Sequence, residues 1–352
     1  MAYLTCGARM LLAMAILAAL PAQADDSKLF PAEAAIPNSR VIHFTSAIDK
    51  EPYTIQISIP MFAPRPKAGY PVIYVLDGEL YFPEAAIASD FLGDKAAVVV
   101  GIGHEALNDK AVIARYAKPD NGKTGNGKPL DGATALSVFQ SMRDYDFKWP
   151  VSPEHRAPAF AEKAIGLETG DVDVFLQVIE KEIKPKVEAL VPIDRSNQAL
   201  FGHSAGGLAV VHALFTEPAA FRTFIPASPT IYYDGAAVLA GEKQFAAAVT
   251  AKRIAPRVLV TVGALEPENV GPDKNDLAGL TPAQRTEIAP YAKMRSSWPG
   301  MITGARELAA QLKALHGKPG YRVDYQLIAD QDHPSSAYVA IIRAMPFAFL
   351  EK

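Results

Sequence analysis

The feature of this chain that most limits its fold is a set of short, almost continuously apolar runs rich in β-branched residues. Val72 to Leu76, Ala96 to Val100, Ala199 to Phe201 and Arg257 to Val262 are of this kind. Such strands bury both faces, as in a parallel sheet covered by helices. Tyr321 to Ile328 reads as a late strand of the same sheet. Helical patterns alternate with these runs. Asp171 to Leu190 carries apolar residues at Val174, Phe175, Val178, Ile179 and Ile183, with Pro185 as a kink point, and Leu208 to Phe215, Ala305 to Leu315 and Ser335 to Leu350 follow. Strand and helix in alternation imply an α/β fold with right-handed crossovers. Upstream, Arg40 to Ser46 and Pro52 to Pro60 alternate apolar and polar residues, which predicts an antiparallel hairpin with one wet face. The expected architecture is a mostly parallel central sheet with antiparallel N-terminal strands and helices on both faces.

The first residues are set aside as a leader. Arg9 precedes the apolar run Met10 to Leu20, and Ala22-Gln23-Ala24 offers a small-x-small cleavage site before Asp25. That is the layout of a secretory signal peptide, and the run is too short to span a bilayer. The expected mature chain, residues 25–352, is then periplasmic or secreted, without stable membrane insertion. Cleavage would also remove Cys6, the only cysteine, and with it any disulfide or thiolate chemistry. A formal net charge of −3 with both signs dispersed gives no basic field for nucleic acid. Residues 25–352 read as a single catalytic domain. Within it, Lys118 to Gly132 is a polar, glycine-rich surface loop, 118–170 is a candidate lid or insertion, and Pro267 to Arg295 is a polar excursion between the last two strands.

The most specific local signal is Phe201-Gly202-His203-Ser204-Ala205-Gly206-Gly207. Its Gly-x-Ser-x-Gly lies between an apolar strand and an apolar helix, the setting that a nucleophile elbow requires. The tight turn calls for small residues two positions either side of the serine, and Gly202 and Gly206 meet that need. Ser204 is the candidate nucleophile, and the amide of Ala205 is a candidate oxyanion donor at a helix N-terminus. The second donor is expected after the strand that ends at Leu76, from the amide of Gly78 or Glu79. Asp77-Gly78 also fits an ordinary tight turn.

A serine hydroxyl needs a base within hydrogen-bond reach. His212 lies two turns into the elbow helix, and His316 precedes Gly317 at a helix end. His333 follows the last strand, where the base belongs in this chain order. His203 is read as structural. Glu266, Glu268, Asp273 and Asp276 all follow the strand Arg257 to Val262 as candidate acids, and a Ser–His dyad without an acid is the alternative. Asp330, Asp332 and His333 are too few and too close together for a metal site, so neither metal nor cofactor is expected.

Taken together, these segments resemble the esterase branch of the α/β-hydrolases, which includes siderophore (enterobactin) esterases, S-formylglutathione hydrolase and mycolyltransferases. Leu76 to Glu79 matches the family's Leu-Asp-Gly-Glu-like segment, and Arg143-Asp144-Tyr145-Asp146-Phe147 partly matches its Arg-Asp-Tyr-Thr-Pro. Gly202 to Gly207 matches Gly-His-Ser-x-Gly-Gly, and Ser228-Pro229-Thr230-Ile231-Tyr232-Tyr233 corresponds to Ser-Pro-Ser-x-Trp-Trp. Gly263 to Glu266 matches a Gly-x-x-Glu, which singles out Glu266 as the acid. Three departures stand out: Pro334 follows the histidine, tyrosines replace the paired tryptophans, and Asp146 replaces threonine. The resemblance implies an α/β-hydrolase fold and a serine carboxylesterase. Its partner would be a small-molecule ester: a siderophore, a sugar ester or a short acyl ester. It also implies that Arg143 binds an anionic substrate group; the alternative is a surface pairing with Asp144 or Asp146. Two other activities remain on this scaffold: acyl transfer to an alcohol, as in mycolyltransferases, and binding without catalysis.

Overall fold

The computed structural model describes residues 36–104, 132–159, 170–270 and 280–350, with side chains of the helix at 132–147 described from Val138 onward. The leader at 1–24, residues 118–131 and 160–169 of the candidate lid, and the candidate acids Asp273 and Asp276 lie outside these residues.

The hairpin at the start is present, as β1 (Ser39–Thr45) antiparallel to β2 (Pro52–Ser58). The apolar runs become β3 (Tyr70–Leu76), β4 (Val98–His104), β5 (Ile193–His203) and β7 (Arg257–Gly263), with β8 (Arg322–Ile328) behind them. A further strand, β6 (Thr223–Ala227), had no clear signature because Pro226 sits inside five residues. The sheet order is β1-β2-β4-β3-β5-β6-β7-β8. β2 pairs antiparallel with β4, and every pair from β4 across to β8 is parallel.

Continuous apolarity has the expected consequence in β3. Val72, Tyr74 and Leu76 join one buried cluster with Leu208 and Leu308, while Ile73 and Val75 turn to the opposite face and are equally buried. Two helices cover that second face: α1 (Gly78–Asp90) and α9 (His333–Phe349), which pack on each other and on the central strands. The first face is covered by α2 (Gly132–Phe147), α3 (Val172–Val178) and α5 (Ala205–Thr216), and by α8 (Met301–Lys313) near β7 and β8. Each fully buried Leu, Ile, Val or Phe contributes about 1.5–3 kcal/mol of transfer free energy.

Three expectations change. The stretch after Leu76 is the first turn of α1 rather than a loop; internal Pro83 and a helix apolar on most sides hid it. The helix expected over Asp171 to Leu190 is α3, a π turn at Ile179–Ile183 and α4 (Lys184–Leu190), so the break falls just before Pro185. Proline cannot donate its backbone hydrogen bond, and a widened turn absorbs the defect. The polar excursion contains α7 (Pro282–Arg295), begun by a Thr281–Gln284 capping box. Between α5 and β7 lies α6 (Glu242–Thr250). No helix among the described residues is long and apolar enough to cross a membrane.

Candidate active site

Parallel strands bring their C-terminal ends to one edge of the sheet, and the candidate residues collect there. Ser204 sits between β5 and α5 at φ 60°, ψ −116°, a conformation that costs a non-glycine residue about 1–3 kcal/mol. Its amide donates to Ala227 O at 3.0 Å, and its carbonyl accepts from Leu208 N at 3.0 Å and Thr230 N at 3.3 Å. A Cβ on Gly202 would lie 2.3 Å from Gly206 O, so glycine is required there. The same test moves the second requirement from Gly206 to Gly207. A Cβ on Gly206 meets nothing closer than 3.4 Å, whereas one on Gly207 would lie 2.7 Å from Ala227 O.

His333 opens α9. Asp332 is the N-cap, paired with Ser335 in a reciprocal capping box, which fixes His333 and Pro334 between them. Pro334 occupies the first turn of that helix, where a missing N–H costs nothing. Nε2 of His333 is 2.9 Å from Ser204 Oγ, and Nδ1 is 2.6 Å from Glu266 Oε2. A proton on Nδ1 donates to the carboxylate and leaves Nε2 to accept from the serine hydroxyl.

Glu266 is held on its other oxygen. Oε1 accepts from Ser228 Oγ at 2.5 Å and Gly263 N at 2.7 Å, with Ser336 Oγ at 3.3 Å. Burial pushes this carboxyl up, but hydrogen bonds from His333, Ser228 and Gly263 outweigh it and hold the group below the usual glutamate range. The carboxylate is therefore ionised where it faces the imidazole. Glu268 is exposed and engaged by Thr303 and Arg306 instead. Ser228 and Ser336 had no local sequence signal, since they lie far from Glu266 along the chain.

The oxyanion candidates are first-turn amides of two helices, Gly78 and Glu79 of α1 and Ala205 of α5, where no intrahelical carbonyl can accept them. A Cβ on Gly78 would lie 2.7 Å from Gly101 C, so the Asp-Gly step allows close approach to β4. The Glu79 carboxylate accepts the His104 amide. Arg143 is placed differently from the expectation that gave it to substrate. It is buried, with Nε 2.7 Å from Asp77 Oδ1 and Nη2 3.1 Å from Asp77 Oδ2 and 3.2 Å from His203 O. Its charge is already answered by Asp77, and it ties the start of α1 to the residue before Ser204. The alternative partners are taken elsewhere: Asp144 by Lys148, and Asp146 by His104 at 2.8 Å.

His203 packs against His333, ring centroids 4.5 Å apart, with Nδ1 3.1 Å from Tyr81 Oη. Burial, with the charges of His333 and Arg143, lowers it to about 3, so it backs the site as a neutral ring. His212 Nε2 pairs with Asp173 Oδ1 at 2.6 Å, away from the serine.

A family model described as "Putative esterase" matches residues 155–287. Ferri-bacillibactin esterase BesA of Bacillus subtilis is 30% identical over 321 residues, covering 89% of this chain and 90% of that one. The chain belongs to this esterase family. Its members are carboxylic ester hydrolases of the α/β-hydrolase fold. Siderophore triacetylfusarinine C esterase of Aspergillus fumigatus is 30% identical over 252 residues, covering 67% of this chain and 71% of that one. Among solved structures, the BES protein of Bacillus cereus superposes with TM-score 0.65 at 24% identity, over 91% of this chain and 98% of that one. Siderophore hydrolase EstB of Aspergillus nidulans has the same identity and coverages at TM-score 0.60. Both likenesses are of fold.

Proposed function

We propose that this esterase is an exported enzyme that hydrolyses siderophore esters through an acyl-enzyme on Ser204. The observation that carries the chemistry is the unbroken chain Ser204 Oγ, His333 Nε2, His333 Nδ1, Glu266 Oε2, with links of 2.9 and 2.6 Å. As Ser204 Oγ attacks the ester carbonyl, His333 Nε2 takes its proton, and Glu266 stabilises the imidazolium. The amides of Ala205 and of Gly78 or Glu79 hold the oxyanion. Collapse breaks the ester C–O bond, and His333 returns the proton to the leaving alcohol. Water then attacks the acyl-serine with His333 again as base, releasing the acid and restoring Ser204.

The siderophore is supported by relatives named for siderophore esters in bacteria and fungi. Export is supported by the leader ending at Ala24. Purified protein is expected to cleave a siderophore triester in preference to acetylated sugars in a substrate panel, and Ser204→Ala to lose at least about a thousandfold in turnover. Parent-rate hydrolysis of p-nitrophenyl acetate by Ser204→Ala would end the serine assignment. For export, the N-terminus of protein recovered from outside the cytoplasm is expected to be Asp25.

A further inference from the structure

Asp77 places a carboxylate at the point of the site least suited to one. It is the N-cap of α1, and a Cβ on Gly206 would lie 3.4 Å from its Oδ2, so the carboxylate stands at the starts of both α1 and α5. Those two helix starts carry the oxyanion candidates Gly78, Glu79 and Ala205. Each attracts negative charge, whether it comes from a substrate or from the protein itself. An aspartate at an N-cap ordinarily turns its side chain onto the amide of the second or third helical residue, here Glu79 or Leu80. Asp77 does not. Its carbonyl accepts from Leu80 N at 2.9 Å, and its side chain makes no capping hydrogen bond.

The carboxylate is held elsewhere, with one oxygen on Arg143 Nε and the other on Nη2. A two-point contact of this kind fixes orientation as well as position. The guanidinium is itself pinned. Nη2 also donates to His203 O, Nη1 donates to Gln140 Oε1 at 3.3 Å, and the ring centroids of Phe139 and Phe147 lie 5.5 and 5.7 Å away. Both partners are buried, so little water competes for either. Without the guanidinium, a buried carboxylate is left beside uncapped amides of α1. Taking one of them would put negative charge where the oxyanion must form.

We propose that Arg143 is a positioning residue that holds the Asp77 side chain off the oxyanion site, leaving the first-turn amides of α1 free for the substrate oxygen. The proposal rests on the ester-hydrolase reading for its kinetics but not for its geometry. Arg143→Met keeps an apolar stem against the two phenylalanines and removes the fork. Its kcat for p-nitrophenyl acetate is expected to fall about a hundredfold with KM within about threefold of the parent, as for the loss of one oxyanion donor. A trifluoromethyl ketone, whose serine adduct carries an oxyanion, is expected to lose affinity by a similar factor. The deciding variant is Arg143→Met/Asp77→Gly, in which the competing carboxylate is gone and glycine accepts the left-handed backbone at φ 54°. It is expected to recover kcat to within about tenfold of the parent, a rescue that an arginine needed only for folding would not allow. Parent kcat in Arg143→Met, or a double variant no faster than the single one, overturns the proposal. A crystal structure of Ser204→Ala/Arg143→Met reads the geometry without turnover. The Asp77 carboxylate is expected on an amide of the first turn of α1, and a carboxylate left in its parent position contradicts the proposal. An inactive parent would sink the esterase reading, and this structure would still decide the role of Arg143.

Discussion

Two of the histidine–carboxylate pairs follow sheet strands at the same edge, His104 at the end of β4 and His333 after β8, and of these two only the second faces a hydroxyl. His333 and Glu266 are 2.6 Å apart, and His104 and Asp146 are 2.8 Å apart. The local chemistry is alike. The surroundings are not. His333 is partly open to solvent and turns its second nitrogen to Ser204, whereas His104 is enclosed and its Nδ1 meets no partner among the described residues. Burial works against a charge on His104, but Asp146, Glu79 and Glu51 more than offset it and lift the imidazole to about 9. One pair is therefore placed to pass a proton and the other to hold an ion pair. A histidine beside an acid does not mark catalysis; the group on its other nitrogen does.

Substitution at the two histidines should break the symmetry most. His333→Ala is expected to lower kcat for p-nitrophenyl acetate by about 10⁴-fold or more with little change in melting temperature. His104→Gln should do the reverse. It leaves an unpaired buried carboxylate, at a stability cost on the order of 3–5 kcal/mol in urea melts, while the folded fraction keeps kcat within about tenfold. Equal kinetic losses at the two positions would erase the distinction.

Glu266→Gln comes next, with a loss of about a thousandfold in kcat, since a neutral amide does not stabilise the imidazolium and, with its oxygen held by Ser228 and Gly263, turns its NH2 toward Nδ1 and favours the wrong tautomer. Asp146→Asn should again move stability rather than rate. A smaller effect sharpens how Glu266 is held. Ser228 lies at φ 41°, so Ser228→Gly removes the hydroxyl without asking alanine to adopt that backbone. About a tenfold fall in kcat at constant KM is expected, with no further fall when Glu266 is already glutamine. Additive losses would mean that Ser228 acts by another route.

The mildest contrast is in pH. His104 has its pKa raised from about 6.5 unfolded to about 9 folded. The stabilisation from its charge is complete below about 6.5 and is lost as pH rises through about 9. Parent stability should decline across that window, and His104→Gln should lack that part of the slope.

What the sequence disclosed follows from how local each feature is. Ser204 announces itself because the elbow, its strand and its helix are contiguous, and Gly202 is forced by a contact only four residues away. His333 follows from chain order and the end of the last strand. Glu266 does not separate from Glu268, Asp273 and Asp276 by spacing alone and needed the family resemblance. Its placement depends on Ser228 and Ser336, which only the packed sheet brings near. For Arg143 the resemblance implies a substrate group and the neighbouring sequence offers Asp144 or Asp146, because nothing adjacent reveals Asp77, 66 positions upstream, as its partner. β6 and α1 stayed hidden for a shared reason: each carries an internal proline that tertiary packing tolerates and propensity does not.

The central claim is that the hydroxyl of Ser204, and no other nucleophile, is activated by His333. Peptide mapping of the adduct formed with a fluorophosphonate tests it directly. The account predicts one adduct, on Ser204, absent from Ser204→Ala and formed at least about a hundredfold more slowly in His333→Ala. An adduct on another residue, or labelling of His333→Ala at the parent rate, would contradict it.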